Sequence, residues 1–526
     1  MRMLVTACFA VFALRRLLTY LHIFQQEEYD GVRFVRWIVR RAAFDRRATV
    51  LLAGAGIVEA AGVLSRTAGG ILAGAMFLTL AYFEADPRSS GKKRLAMTPR
   101  AKRILAGAVL AAVAGGAAAG ILSGSVAIWI VAVQLIPFCL VLSNLALTPY
   151  ESIVQRRFWR EARDKLEQLR PVTIGITGSY GKTSVKHILG HILETQGATL
   201  ITPGSVNTTM GIARVVREQL GSHHRFLVCE MGAYGPGSIS RLTQLAPPNM
   251  AIVTAVGCAH FERFKSLETV AQAKFELADA AVRGGGKVVV SEDVLQYRTP
   301  REFATRHAES LIAVGTGSAC VLRIESVRQS RDGLEVAVTW GGASYTLRTT
   351  LFGEHQALNM ALAFAAACEL GVTPDQALIA LTSVAQISHR LEVKRQPRGS
   401  IVIDDAYNSN PVGFASALPI LDLFRGENGR RILVTPGMVE LGAIHDREHA
   451  RIGALAASHV DVLIPVLPPR IAALTAAYSA ANPQGTVVPC RSFADAQAWL
   501  ASNLGPQDVV LVENDLPDLY EKRLSL

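Results

Sequence analysis

The stretch GITGSYGKTSVKHIL, residues 175–189, holds the residues whose types and spacing fit phosphate chemistry best. Gly178, Ser179, Tyr180, Gly181, Lys182, Thr183 and Ser184 follow the apolar run VTIGIT and open a helix-like segment. A glycine turn leading into a helix turns backbone N–H groups toward one point and makes an anion cradle there. In such a cradle Lys182 reaches the terminal phosphates of a nucleotide, and the Thr183 hydroxyl binds Mg²⁺. The spacing is the shorter TGxxGKT form, because Ile176 stands where the longer GxxxxGK(S/T) motif has its first glycine.

Such a turn needs a strand before it and a helix after it. Strand-like runs recur at 226–231, 250–256, 287–291, 431–437, 460–466 and 508–515, with helix-like stretches between most of them. Alternation of this kind predicts α/β units with parallel sheets. Residues 321–353 break the pattern: apolar and polar residues alternate around turns at Arg331-Asp332-Gly333 and Gly341-Gly342, which predicts antiparallel hairpins. A second α/β unit is expected to begin near Ile401.

A chain of 526 residues exceeds one ordinary core, and its net charge of +11 points to an acidic partner. By charge alone, nucleic acid, anionic lipid and acidic metabolites all qualify. The seven cysteines are scattered without a CxxC, which argues against a zinc site or a disulfide framework. The long apolar runs lie before Tyr150, at 49–65, 67–83, 104–124 and 126–147, each near the length of a membrane span. A weaker run at 3–24 is interrupted by Arg15 and Arg16. Arginine and lysine crowd the loops 25–48 and 84–103, so both loops are expected in the cytoplasm, with everything after Pro149. The expected location is the inner (cytoplasmic) membrane, multi-pass, with lipid as a partner and much of the +11 facing it. Glu59 inside a predicted span is expected to face a neighbouring helix or the interface. Residues 151–169 read as a charged amphipathic linker helix.

From about residue 172 onward the chain resembles the Mur ligases, ATP-dependent enzymes that join amino acids to peptidoglycan precursors. Within that family it looks most like the branch that adds D-alanyl-D-alanine to a UDP-muramoyl tripeptide. The resemblance rests on an ordered set: TGSYGKT, PGSVNTTMG (203–211), LVCEMGAYGPGSI (227–239), AHFERFKSLETVAQAKFEL (259–277), FGEHQALNMALAFA (352–365), SHRLEV (388–393), IDDAYNSNPVGFASAL (403–418) and VTPGMVELGAIHDREHARIG (434–453). It implies Mg²⁺ ligation by Glu230 and His260, and a catalytic, carbamylated Lys274. A carbamate turns that cation into an oxygen-donor anion suited to Mg²⁺. It further implies Asn359 near the adenine, and Arg390 and Asp405 on the ribose and phosphates. Gln356 departs from the family's usual asparagine. The loop 203–211 is implied to touch the acceptor.

The implied reaction activates an acceptor carboxylate as an acyl phosphate, which an amino-acid or dipeptide amine then attacks. The implied cofactors are ATP and Mg²⁺, with Lys182, Lys274 and His260 catalytic. Domains are expected at 1–150 (membrane helices), 151–170 (linker), 171–385 (central ATP-binding domain) and 386–526 (C-terminal Rossmann-like domain). Two features depart from an ordinary member of the branch. The segment before the glycine turn is too short for a UDP-binding domain, and VLVENDLPDLYEKRL (510–524) stands where a Lys-Gly-Ser segment is usual. The acceptor is therefore expected to be a small or lipid-linked acidic molecule, and nucleic acid is not an expected partner. The alternatives are a ligase making another amino-acid polymer, such as a poly-γ-glutamate-like chain, and a non-catalytic membrane scaffold.

Overall fold

The computed structural model describes residues 2–89, 94–122, 126–257, 264, 266–407, 409–439 and 441–514. They divide into two compact units, the first ending at Gln155 and the second running from Arg156 to Asp515.

The first unit is helical. Its helices are Arg2–Gln26, Gly31–Arg41, Arg46–Ala60, Arg66–Phe83, Pro99–Leu122 and the first part of Ile128–Leu169. Their shared core includes Phe9, Phe12, Phe77 and Trp129, with the rings of Phe9 and Trp129 at 5.3 Å. Gly116 is needed for this packing, since a Cβ there would lie 2.6 Å from the Phe9 ring. Among the described residues, four helices are long and apolar enough to cross a membrane by length and composition: Met3–Gln26, Arg66–Phe83, Pro99–Ile121 and Ile128–Leu169.

Two expectations change here. The run 49–65 is not one span-length helix: its helix is Arg46–Ala60, and residues after Ala61 turn. The separate span and linker expected at 126–147 and 151–169 are one continuous helix, Ile128–Leu169, with Pro137 and Pro149 inside it. The weaker run at 3–24 does form a long helix, because its arginines are paired. Buried Arg16 contacts Asp45 at 2.7 Å and Glu84 at 3.0 Å. Glu59 accepts the Val126 N–H at 2.9 Å, so its carboxylate caps a neighbouring segment.

The second unit carries two mixed sheets. The larger has the strands β1 (Val172–Thr177), β2 (Thr199–Ile201), β3 (Phe226–Glu230), β4 (Met250–Val253), β5 (Lys287–Ser291), β6 (Leu311–Gly315), β7 (Leu322–Ser330), β8 (Gly333–Trp340) and β9 (Ala343–Thr349). Its order is β2-β3-β1-β4-β5-β6-β7-β8-β9. Pairing is parallel as far as β7 and antiparallel along β7–β8–β9, through the two expected hairpins. Strand burial is continuous in β1, β3 and β4, as strands covered on both faces require. Helices Lys182–Leu193 and His355–Glu369 cover one face. Helices Thr209–Gln219, Ser238–Leu245 and Leu267–Arg283 cover the other, joined there by Ala162 and Leu166.

The smaller sheet contains β10 (Glu392–Arg395), β11 (Ile401–Asp405), β12 (Arg431–Thr435), β13 (Val462–Pro465), β14 (Thr486–Val487) and β15 (Val509–Glu513). Its order is β10-β11-β15-β12-β13-β14, with β10 the antiparallel edge.

Candidate active site

Strand β1 lies between β3 and β4, where the direction of the crossovers reverses. In open α/β sheets, ligands sit beyond the carboxyl ends of the strands at such a point. The chain leaves β1 at Thr177 and turns through residues 178–181. Gly181 takes a left-handed φ of 80° and N-caps the helix Lys182–Leu193 with no side-chain hydrogen bond. The first-turn N–H groups are thus not satisfied by a capping side chain. A Cβ at Gly181 would lie 2.3 Å from Asn359 Oδ1, so glycine alone lets Asn359 approach the turn. Asn359 in turn donates to Gln356 Oε1 at 2.9 Å, so the departure at position 356 fixes the amide it adjoins.

The segment after β4 braces the turn. Ser179 N donates to Ala255 O at 2.8 Å. The Ser179 hydroxyl donates to Gly257 O at 3.1 Å and accepts from Gly257 N at 2.9 Å. The Thr254 hydroxyl donates to Tyr180 O.

Charged groups converge on this frame. Lys182 Nζ donates to Gly178 O at 2.7 Å. Enclosure of that amine lowers its pKa, the Glu230 charge opposes the shift, and Arg390 adds to it. Buried Glu230 ends β3, accepts the Thr183 hydroxyl at 2.9 Å and Asn207 Nδ2 at 3.1 Å, and lies 3.5 Å from Lys186 Nζ. Asn207 also accepts the Tyr234 hydroxyl at 2.8 Å.

Lys274 reaches the same place from the opposite face. Its helix, Leu267–Arg283, packs so closely on β1 that a Cβ at Gly175 would lie 2.7 Å from Leu277 Cδ1. The Lys274 side chain is buried and lines a small cleft with Gly178, Ser179, Lys182, Asn207 and Tyr234. Burial, reinforced by the Lys182 charge, holds the Lys274 amine well below the usual lysine range. A groove of ≈ 530 Å³ opens beside the glycine turn, lined by Thr183, His187, Ile387, His389, Arg390 and Tyr407. Its volume suits a small organic ligand. The Arg390 guanidinium lies 4.5 Å from the Tyr407 ring centroid. Asp405, at the end of β11, is buried.

Residues 178–184, Glu230, Lys274 and Asn359 therefore gather at the carboxyl ends of β1 and β3. Arg390 is close enough for its charge to act on Lys182 and Lys186. His260 lies outside the described residues. Lys186, Asn207, Tyr234 and Glu513 were not singled out in the sequence. Lys186 sits one helical turn beyond Lys182, a spacing that puts both on one face, and this was the available signal. The donor set fits Mg²⁺ and nucleotide phosphates: a hydroxyl and a carboxylate supply hard oxygen ligands, and a lysine and a helix N-terminus without a side-chain cap meet at the same turn.

Residues 176–367 match the Mur ligase middle domain, and residues 389–513 match the glutamate ligase domain of Mur ligases. The UDP-N-acetylmuramoyl-tripeptide–D-alanyl-D-alanine ligase of Mycobacterium tuberculosis is 32% identical over 364 residues, covering 65% of this chain and 69% of that protein. The protein of the same name from Bacillus subtilis is 28% identical over 294 residues, covering 56% of this chain. The chain spans 62% of that relative's length, less than two thirds. Among solved structures, MurF ligase from Thermotoga maritima in complex with ADP has a TM-score of 0.60 at 23% identity, covering 70% of this chain and 82% of that one. A MurF from Acinetobacter baumannii also scores 0.60 at 23% identity, covering 70% and 78%. These structures share the fold of the second unit.

Proposed function

Because this chain belongs to the Mur ligase family, we propose that it is a membrane-anchored, ATP-dependent amide ligase of the MurF type that acts in cell-wall precursor synthesis. The observation that carries the reading is the convergence at the carboxyl ends of β1 and β3 of the glycine turn, Lys182, the Thr183–Glu230 contact and the buried amine of Lys274. ATP, when bound, supplies the phosphoryl group that activates an acceptor carboxylate for attack by an amine. The chain's own residues position and neutralise. The N–H groups of the turn and Lys182 hold phosphate oxygens. Thr183 and Glu230 would hold Mg²⁺, with His260 and carbamylated Lys274 completing the ligation. A neutral amine is the form that reacts with CO₂, and the enclosure of Lys274 favours that form. Asn359, which approaches the turn at Gly181, would lie near the adenine, and Arg390 and Asp405 would serve the ribose and phosphates. Asn207 lines the cleft from the loop expected to meet the acceptor, and the Tyr234 hydroxyl donates to Asn207.

The first unit favours a location at the inner membrane, with the ligase part cytoplasmic. Its outward side chains include Val11, Leu14, Ile71, Leu72, Leu78, Leu110, Val131, Leu135 and Leu142, all exposed in the isolated fold. Side chains of this kind suit acyl chains. A lipid-linked acceptor is the second reading, and these helices favour it. The reading divides the chain into a membrane part (1–150), a linker (151–170), a central ATP-binding domain (171–385) and a C-terminal domain (386–526).

The test incubates the detergent-purified full chain with ATP, Mg²⁺, UDP-linked muramoyl tripeptide and D-alanyl-D-alanine. Products are read by mass spectrometry. A ligated product with stoichiometric phosphate release supports the reading. Phosphate release only with a lipid-linked acceptor selects the second reading, and no turnover with either acceptor rejects both. Pelleting of the chain with membranes after carbonate washing tests the anchor, and recovery in the supernatant rejects it.

A further inference from the structure

The parallel register of β11 and β15 sets Asp405 beside Glu513. Both side chains are buried, Asp405 at 8% and Glu513 at 0% exposure. Asp405 Oδ1 accepts the Leu391 N–H at 3.3 Å. Glu513 Oε1 accepts the Ser409 hydroxyl at 2.5 Å. Glu513 Oε2 has no N–H or O–H donor among the described residues, and Asp405 is the residue paired with Glu513 on the neighbouring strand. The charged groups that face the pair are Arg390, which acts on both carboxyls, and Asp404, which acts on Asp405. Asp404 is itself held by Lys394 at 2.6 Å and His389 at 2.9 Å.

Two carboxyls in contact in a buried site do not both ionise, and the proton they retain bridges them. The asymmetry of the surroundings selects its owner. Each carboxyl accepts one donor, the Leu391 N–H at Asp405 and the Ser409 hydroxyl at Glu513, and Arg390 acts on both, so the difference lies in burial and in the second Glu513 oxygen. Glu513 is more deeply buried, and its Oε2 has only the Asp405 carboxyl to meet. Burial and the Asp405 charge push Glu513 well above the usual carboxylate range. Burial also pushes Asp405 upward, against the pull of Arg390.

We propose that Glu513 is a positioning residue for the nucleotide pocket: protonated, it donates Oε2–H to the Asp405 carboxylate and holds that carboxylate in the orientation that meets Arg390 and the nucleotide sugar. The proposal rests on the ligase reading for the nucleotide, whereas the shared proton rests on the fold alone. No bond other than this hydrogen bond is made or broken. The pair presents a single negative charge, so Arg390 keeps part of its positive charge for a polyanionic ligand.

Two variants of the full chain separate the roles. Glu513→Gln keeps a donor toward Asp405 and an acceptor toward Ser409, and Glu513→Leu keeps the volume without either. A fluorescent ATP analogue with Mg²⁺ reads nucleotide affinity, inorganic tripolyphosphate reads the phosphate cradle alone, and thermal unfolding over about pH 5 to about pH 9 reads the shared proton. Glu513→Gln is expected to bind the analogue within about threefold of wild type, and Glu513→Leu about tenfold or more weakly, with tripolyphosphate binding unchanged in both. Because the folded state raises the Glu513 pKa, the stability it adds is complete below its unfolded value and is lost as pH rises through the folded one. Wild type should therefore lose stability relative to Glu513→Gln as pH rises. Equal analogue affinity in wild type and Glu513→Leu overturns the positioning role, as does equal weakening in both variants. Parallel unfolding curves for wild type and Glu513→Gln overturn the shared proton. If wild type binds neither probe, the nucleotide role falls with the ligase reading, and the unfolding curves still decide the proton.

Discussion

Thr183 donates its hydroxyl to Glu230 Oε2 across 2.9 Å, joining the first turn of the helix after β1 to the last residue of β3. The hydroxyl and carboxylate thus occupy adjacent corners of one oxygen-lined site before any cation arrives. Replacing Thr183 by valine keeps the shape and removes one of the oxygens proposed to hold Mg²⁺. Thr183→Val should lower ATP-dependent phosphate release by about a hundredfold and shift its Mg²⁺ dependence to higher concentration. Circular dichroism should stay unchanged. A Mg²⁺ titration superimposable on that of wild type would remove Thr183 from the metal site.

Lys186 is fully buried on the same helix, with its ammonium on Gly204 O and 3.5 Å from Glu230 Oε2. Removing one partner of a buried ion pair leaves the other uncompensated, at a cost of about 3–5 kcal/mol. Lys186→Met should lower the unfolding free energy of the second unit by an amount of that order. The double variant Lys186→Met/Glu230→Gln should recover part of it, because neither charge is then left alone. Chemical denaturation of the three proteins, followed by tryptophan fluorescence, checks both statements. A Lys186→Met variant as stable as wild type contradicts them.

Burial, reinforced by the Lys182 charge, holds the Lys274 amine well below the usual lysine range. Incubation with ¹³C-bicarbonate should give a carbamate carbon resonance in wild type that is absent from Lys274→Gln. The same variant should lose most ATP-dependent phosphate release while keeping its fold. A wild-type spectrum without that resonance, at bicarbonate levels that support turnover, would exclude the modification.

The strands were legible because they are short, apolar and bounded by turn residues. The runs at 226–231, 287–291 and 431–437 became β3, β5 and β12. The turns at Gly333 and Gly341-Gly342 marked the antiparallel edge, since both positions need φ values that glycine supplies freely. The turn 178–184 was legible because its residue types are unusual together. Lys186 was not, because a lysine within a helix ordinarily reads as a solvated charge. Only the burial of its whole side chain against Glu230 distinguishes it. Glu513 was missed for a related reason: its meaning comes from its register with Asp405, 108 residues earlier in the chain, which no local pattern carries. The continuous helix through Pro149 defeated a local rule, since proline ordinarily ends a helix and here does not.

His449 offers a pH prediction independent of catalysis. Its ring is buried at 0% exposure, Nε2 accepts the Met438 N–H at 3.0 Å, and Nδ1 lies 2.8 Å from His445 O. This pattern requires the neutral ring with the proton on Nδ1, since a protonated Nε2 could not accept. Burial lowers its pKa to about 4, with the neighbouring His445 and Arg470 acting in the same direction. A base whose folded pKa is depressed contributes stability that is complete above its unfolded value of 6.5 and is lost as pH falls toward about 4. The loss should amount to about 3 kcal/mol over that window. His449→Gln can keep an acceptor for Met438 and cannot titrate. Its unfolding midpoint should lie below that of wild type at neutral pH, and the gap should close as the solution is acidified to about pH 4. A gap that stays constant from neutral pH to about pH 4 would show that His449 does not carry this part of the acid response.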